Sequence, residues 1–222
     1  MPINLDVDRP DSALVDQLRK FSAATIHEAQ GRLGALDSAI KPIDPEMSVC
    51  GPAFTVVCAP RDNIMLQVAI SYARPGDVIV VSAGNYTEAG SFGDVLANAC
   101  LARGVAGLVT DTGVRDTAEI KRLGLPVFSR SISIKGTVKE TIQPINEPVL
   151  IGGEIVGPGD IIRGDADGVV VVRKDDLAYA IEQSQAREQA EQGYIEQYRA
   201  GRTPIEVSGL AAVLAAKGFP VN

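Results

Sequence analysis

The sequence predicts an α/β fold with a parallel component, one body followed by a long polar helix. Three observations carry this. Apolar, β-branched runs begin near residues 78, 106 and 126, and segments of helical spacing lie between them. A Pro75-Gly76-Asp77 turn precedes the first run, and the same tripeptide returns as Pro158-Gly159-Asp160 ahead of a second, hairpin-like β region. From about residue 175 the apolar positions thin to a narrow stripe, Leu177, Ile181, Tyr194 and Tyr198, on an otherwise charged helix.

In chain order, residues 1–10 read as a loose lead-in. Leu14, Val15 and Leu18 give helical spacing from about Asp11. Residues 23–32 form a second helix, with Thr25 and Glu28 spaced as a capping box and Gly31 near the end. This helix carries His27, the only histidine, which is read as structural. Residues 49–58 read as a strand interrupted by Gly51-Pro52. Residues 64–72 read as a helix capped by Asp62 or Asn63. Residues 78–81 are a buried strand, and 82–92 a loop that contains Glu88 and leads into Gly93-Asp94. After the run at 106–109 come a loop, a short helix over 117–123 and a strand over 126–130. Ile161-Ile162 and residues 169–172 flank a turn whose Asp165 and Asp167 are read as turn residues, since the spacing of a calcium loop is missing. The charged helix over roughly 175–200 is too polar for a core element and is expected to lie along the body or reach a neighbouring subunit. A small helix over 210–216 closes the chain.

Composition excludes several classes. The 222 residues are 45% hydrophobic, enough for one sizeable core. The net charge is −7 with no basic block, which argues against nucleic acid or an anionic membrane as the main partner. Cys50, Cys58 and Cys100 are odd in number, lack zinc-type spacing and sit in apolar runs, so they are read as buried free thiols. No signal peptide or membrane-length apolar run is visible, and the expected location is the cytoplasm.

The chemistry concentrates between Gly93 and Asp116. Gly93-Asp94 opens a helix, the strand at 106–109 follows, and the next loop ends in Arg115-Asp116. A strand-helix-strand unit returns its post-strand loops to one end of a sheet, so Asp94 and Asp116 are expected together. Val95 and Leu96 would then offer unpaired helix N-terminal amides to a carboxylate. Arg115 offers a planar fork of donors, and Asp116 is a hard oxygen ligand of the kind that holds Mg²⁺ with waters and a substrate. On spacing alone a plainer reading also stands: Asp94 as a helix cap and Arg115-Asp116 as a surface ion pair. Glu88 is either a solvated loop charge or a group that reaches the metal through water.

The stretch GDVLANACLARG followed by GLVTDTGVRD resembles the signature of the RraA-like family. It is most similar there to the 4-hydroxy-4-methyl-2-oxoglutarate / 4-carboxy-4-hydroxy-2-oxoadipate aldolases. ATIHEAQGRLG, RPGDVIVV, SISIKGTVK and VGPGDIIRGDADGVVVV carry the resemblance over roughly residues 20–195. One departure is visible: Asp111 is followed by Thr112, where the family often has glycine. The resemblance implies a swivelling β/β/α domain over 1–173, with mixed sheets enclosed by helices, and a helical extension over 174–222 that contacts a neighbour in a homotrimer or homohexamer. It implies a lyase that uses Mg²⁺ or Mn²⁺ to cleave such a 4-hydroxy-2-oxo acid to pyruvate plus pyruvate or oxaloacetate, with oxaloacetate decarboxylation as a side activity. Asp94 and Arg115 would be catalytic. Gly93, Asp94, Val95, Leu96 and Arg115 would bind substrate. Asp116 would hold the metal directly, and Asp94 and a neighbour's Glu191 through water. Lys135 and Lys139 carry no cue for a Schiff-base role. The alternatives are a non-enzymatic binding protein like the RNase E regulator, or a related oxo-acid lyase or decarboxylase.

Overall fold

The computed structural model describes residues 4–220. The chain opens with α1 (Ser12–Leu18), α2 (Ala23–Ala29), β1 (Lys41–Pro42) and β2 (Val49–Val57). It continues with α3 (Ile64–Tyr72), β3 (Val78–Ser82), β4 (Gly90–Phe92), α4 (Asp94–Ala102) and β5 (Gly107–Val114). Then come α5 (Thr117–Leu123), β6 (Val127–Ile132), β7 (Val149–Ile151), β8 (Glu154–Val156), β9 (Ile161–Asp165) and β10 (Gly168–Val172). A short 3-10 turn, Lys174–Asp176, leads into α6 (Leu177–Arg199), α7 (Pro204–Val207) and α8 (Leu210–Ala216).

The strands follow the path β1-β6-β5-β3-β2-β9-β10, with β4 added against β5 and a separate β7-β8 hairpin. The centre, β2, β3, β5 and β6, is parallel. β1, β9 and β10 run antiparallel at the two ends. Those ends curl toward each other, since Lys41 on β1 donates to the Asp167 carbonyl in the β9-β10 turn.

Alternation along the central strands builds two cores. Phe54, Val56, Ile79, Val81, Leu108 and Val127 face the helix layer of α3, α4 and α5, where Met65, Leu66, Ala97, Cys100 and Ile120 meet them. Ala53, Val78, Val80, Val109 and Phe128 face the other way, onto Val149, Ile151, Val156, Ile162 and Val169. A parallel sheet covered on both faces needs apolar residues at successive positions, which is why these strands read as unbroken runs. The result is a β/β/α sandwich of layers, as expected. The three cysteines are buried free thiols, and burial pushes Cys58 and Cys100 up to about 12 and Cys50 up to about 11.

Several elements differ from the sequence reading. Strand β2 is not interrupted at Gly51-Pro52. It changes partner there, pairing antiparallel with β9 over Val49–Pro52 and parallel with β3 over Ala53–Val57. Gly51 allows this because a Cβ at that position would lie 2.3 Å from the Gly76 carbonyl. Helix α2 is capped by Ser22, whose hydroxyl accepts from the Thr25 amide at 3.0 Å, so Thr25 lies inside the first turn and is not the cap. It ends at Ala29, because Gly31 and Arg32 adopt left-handed backbone. Strand β5 runs five residues beyond 109, because β4 and β6 give Gly113 and Val114 partners.

The first turns of α6 are also core. Leu177, Ala180, Ile181 and Ser184 are buried, and the three apolar ones pack with Leu18, Phe21 and Ile26. The sequence stripe held Leu177 and Ile181 of this face but not Ala180 and Ser184, so the helix read as too polar for a core element. The far half of α6 leaves Tyr194, Ile195 and Tyr198 exposed, as a polar helix should.

Residues 4–10 have no regular structure, yet they are not loose. Arg9 makes a two-pronged contact with Asp77, both bonds at 2.7 Å, and the Asp77 side chain is 1% exposed. Asn146 donates to the Asn4 carbonyl at 2.7 Å, and Val7 is buried. Residues 1–3 and 221–222 lie outside the described residues.

Removing Arg9 would leave a buried carboxylate without its cation. Arg9→Ala is therefore expected to lower the unfolding free energy by about 3 kcal/mol. Arg74→Ala removes an exposed pair with Asp6 and is expected to cost less than about 1 kcal/mol. Urea unfolding of both variants checks this, and equal effects would contradict it.

Candidate functional site

Four segments that follow parallel strands meet at one edge of the sheet. Asn63 and Gln67 come after β2, Gly90, Ser91 and Gly93 to Leu96 after β3, Arg115 and Asp116 after β5, and Lys139 after β6. Together they line a cleft of about 240 Å³. The C-terminal edge of parallel strands is where open α/β sheets bind ligands.

Each side chain has a local reason for its place. Gly93 is the N-cap of α4 and has no side chain to bond the helix start. The amides of Val95 and Leu96 in the first turn therefore remain for a ligand or a neighbouring carboxylate. Asp94 supplies one such carboxylate itself, its Oδ1 accepting from the Val95 amide at 2.8 Å. The cap reading of Asp94 is thus met in altered form, since Gly93 is the cap.

Asp116 sits in left-handed backbone at φ 56°, a conformation that aspartate tolerates better than most residues. It precedes α5, but its carboxylate makes no cap hydrogen bond and faces the cleft. Arg115 Nε lies 3.5 Å from Asp116 Oδ2, and both side chains are partly exposed. The backbone of Arg115 is held by the Phe92 carbonyl at 2.9 Å, which ties the end of β5 to β4. At Gly93 a Cβ would stand 2.4 Å from Asp116 Oδ2 and 3.3 Å from Arg115 Nε. A side chain at position 93 would force the Asp116 carboxylate to shift, so glycine leaves the Arg-Asp pair in this position beside the start of α4.

Gly93, Asp94, Val95, Leu96, Arg115 and Asp116 are therefore brought together. Glu191 is not. It lies on α6, bonded to Arg187 at 2.8 Å, and does not line the cleft of its own chain. Glu88 pairs with Lys135 across the rim, which holds its carboxyl below the usual range, and it does not line the cleft. His27 bonds the Leu33 carbonyl through Nδ1 at 3.0 Å, a structural role. Asp165 accepts from the Ala23 and Asp167 amides, as a turn residue does.

Sequence reasoning missed Asn63, Gln67 and Lys139 as lining residues. Asn63 donates to the Ser91 carbonyl at 3.0 Å and accepts from Gln67 at 3.1 Å, so these form one polar wall. Lys139 is placed by Asp62, whose Oδ2 accepts from the Glu140 and Thr141 amides at 2.9 and 2.7 Å while Oδ1 takes the Ile64 amide. Burial alone would raise the Asp62 pKa, but these amides together outweigh it and hold the group ionised. The missed signal was positional: Lys139 and Asn63 each follow a parallel strand.

Among the described residues no cluster of three or more His, Cys, Asp or Glu side chains gathers as a ready-made metal cage. The donor set at the cleft is of another kind: one partly exposed carboxylate, Asp116, with Asp94 nearby. Hard oxygen donors of this number suit a divalent cation that keeps most of its waters and takes the rest of its ligands from a substrate.

A β/β/α body with this cleft defines a recognisable class of protein. The chain belongs to the RraA-like family, whose model, described as Aldolase/RraA, matches residues 12–171. It is 39% identical over 160 residues, 72% of this chain and 76% of the other, to a Halalkalibacterium halodurans protein named "Putative 4-hydroxy-4-methyl-2-oxoglutarate aldolase". Among solved structures it is similar to an uncharacterized Pseudomonas syringae pv. tomato protein, with a TM-score of 0.78 and 26% identity over 90% of this chain and 99% of that one. It is also similar to Streptomyces coelicolor RraAS2, described as an unusual member of the RNase ES inhibitor RraA protein family. That match has a TM-score of 0.74 and 30% identity over 85% of this chain and 100% of that one. No helix among the described residues is long and apolar enough to cross a membrane.

Gly93→Ala is expected to push Asp116 out of place while leaving the two cores intact. Calorimetric titration with oxalate and Mg²⁺ should then show affinity reduced by roughly tenfold or more, with little change in unfolding midpoint. Unchanged oxalate affinity would contradict this account of the cleft.

Proposed function

We propose that this cleft cleaves a 4-hydroxy-2-oxo acid bearing further carboxylates, such as 4-hydroxy-4-methyl-2-oxoglutarate or 4-carboxy-4-hydroxy-2-oxoadipate, in a divalent-metal-dependent retro-aldol reaction. One observation carries the reading: a helix N-terminus, an arginine and a carboxylate line one cleft, with glycine at position 93 leaving the carboxylate room beside the helix start. That combination matches a small acidic substrate with an adjacent keto oxygen. The aldolase name of the 39% identical relative points the same way.

Asp116 would hold Mg²⁺ or Mn²⁺ directly, with Asp94 reaching it through water. When bound, such a cation supplies Lewis-acid polarisation of the 2-keto oxygen. The chain's own groups do the rest. Arg115 binds the substrate's 1-carboxylate and stabilises negative charge on the C2 oxygen as the C3–C4 bond breaks. The amides of Val95 and Leu96 bind a carboxylate at the start of α4, the substrate displacing Asp94 Oδ1 from the Val95 amide. Lys139, with Asn63 and Gln67, meets a distal carboxylate. Asp94 takes the C4 hydroxyl proton through a water, so C4 becomes a carbonyl, and the same proton can return to C3. The products are pyruvate plus pyruvate or oxaloacetate. Oxaloacetate decarboxylation passes through the same enolate and is the expected side activity.

Glu191 has no place in its own chain's cleft, and the far half of α6 carries exposed Tyr194, Ile195 and Tyr198. Both features support a homotrimer or homohexamer in which residues 174–222 reach a neighbour and Glu191 completes that neighbour's site through water. A second reading is a binding protein without this activity, favoured by the likeness to RraAS2.

Two variants test the chemistry. Arg115→Ala is expected to lower kcat for pyruvate release by roughly 100-fold or more while unfolding is unchanged, since an exposed electrostatic clamp is lost. Asp116→Ala should lose activity and response to added Mg²⁺ together. A fully active Asp116→Ala protein would place the metal elsewhere, and pyruvate C3–H exchange retained in Arg115→Ala would remove the role given to that residue.

A further inference from the structure

The wall of the cleft that carries Gly90 and Ser91 is the end of the chain between β3 and α4. It is fastened from beneath, nearly residue by residue. Asp111, in the middle of β5 and 1% exposed, accepts from the Ala83 amide at 2.6 Å and from the Asn85 amide at 3.0 Å, using both carboxylate oxygens. Thr112 donates its hydroxyl to the Tyr86 carbonyl. Ser131 on β6 donates to the Thr87 carbonyl at 2.8 Å. Gly113 leaves space for the Ala89 carbonyl, 2.5 Å from where a Cβ would stand. The Gly90 amide then donates to the Lys135 carbonyl at 2.8 Å. Gly90 also opens β4, which pairs with β5 and delivers Gly93 to Asp116.

A buried carboxylate is costly unless its hydrogen bonds are specific. Burial pushes the Asp111 pKa up, against the pull of the Ala83 and Asn85 amides and of Arg130. Asp111 does not line the cleft and has no part in the proposed chemistry. Its two acceptor bonds account for its presence.

We infer that Asp111 is the positioning residue of the site: by accepting both the Ala83 and Asn85 amides, its carboxylate fixes the 83–89 segment that leads into the Gly90-Ser91 wall and so sets where Gly93 and the start of α4 stand relative to Asp116. Both oxygens accept from N–H groups, so the group that does this is the ionised one. Asparagine has nearly the same shape but turns an NH₂ toward one of the two amides. The activity arm of the test rests on the aldolase reading, whereas the other arms need no turnover.

The experiment compares the full-length wild type with Asp111→Asn. Residue-resolved hydrogen exchange is expected to show the Ala83 and Asn85 amides exchanging roughly tenfold faster or more in the variant, with Ile79 and Val80 on β3 unchanged. The amide resonances of Gly93, Val95 and Leu96 should shift, although none of them touches residue 111. If the aldolase reading holds, kcat should fall by roughly tenfold with a smaller change in KM. Equal exchange at 83 and 85 would overturn the inference. So would unmoved resonances at 93–96, or faster exchange spread evenly over the chain, which would assign Asp111 to global stability alone. Should Asp111→Asn fail to fold, the carboxyl ¹³C shift of Asp111 in the wild type decides: a carboxylate at neutral pH is expected, and a neutral acid would overturn the inference. An inactive wild type would sink the aldolase reading and leave the exchange and resonance results to stand.

Discussion

The contact between Gly93 and Asp116 constrains the rest of the site. A carboxylate oxygen lies 2.4 Å from the place a Cβ would occupy, so any side chain at position 93 displaces the group proposed to hold the metal. To bring these two residues together, the chain must send β4 and β5 side by side out of the sheet edge. It must also turn sharply at each, into α4 at Gly93 and into α5 at the left-handed Asp116. The arginine between β5 and α5 then has its backbone fixed by β4, with its side chain over the cleft. Helix-start amides, a guanidinium and a carboxylate thus come together from two turns, the start of α4 and the end of β5.

That sheet can bear the arrangement because it is covered on both faces. Helices α3, α4 and α5 lie on one side, and the β7-β8 hairpin with β9 and β10 lies on the other. Strand β2 joins the layers by pairing with β9 along its first half and β3 along its second. A rigid body of this kind lets a polar edge carry strained backbone and buried carboxylates such as Asp62 and Asp111, each held by backbone amides. Asp62 holds the segment next to Lys139, and Asp111 holds the Ala83 and Asn85 amides of the segment that leads to Gly90 and Ser91.

Much of this was legible in the sequence. The runs at 78, 106 and 126 were strands because a doubly covered parallel strand must be apolar throughout. Asp94 and Arg115-Asp116 were placed together by topology alone. What escaped was set by long-range pairing. β4 is only three residues, and the extension of β5 to Val114 exists because β4 and β6 pair with it; neither has a local signature. The lead-in carries few apolar residues, yet it is fastened by Arg9 to Asp77, some seventy positions away. Asp111 read as the start of a loop, and its burial follows only once that stretch is a strand. Asn63 read as a cap and Lys139 as an unremarkable lysine, because what recruits them to the cleft is their position after a strand and not any motif.

The central claim is that the cleft performs metal-dependent carbon–carbon cleavage. The most direct measurement is pyruvate release from 4-hydroxy-4-methyl-2-oxoglutarate by the purified protein, with Mg²⁺ and then with EDTA. The account predicts turnover that needs the metal and is abolished by the chelator. No turnover in either condition, with oxaloacetate also untouched, would contradict it and favour a binding protein of the RraA kind.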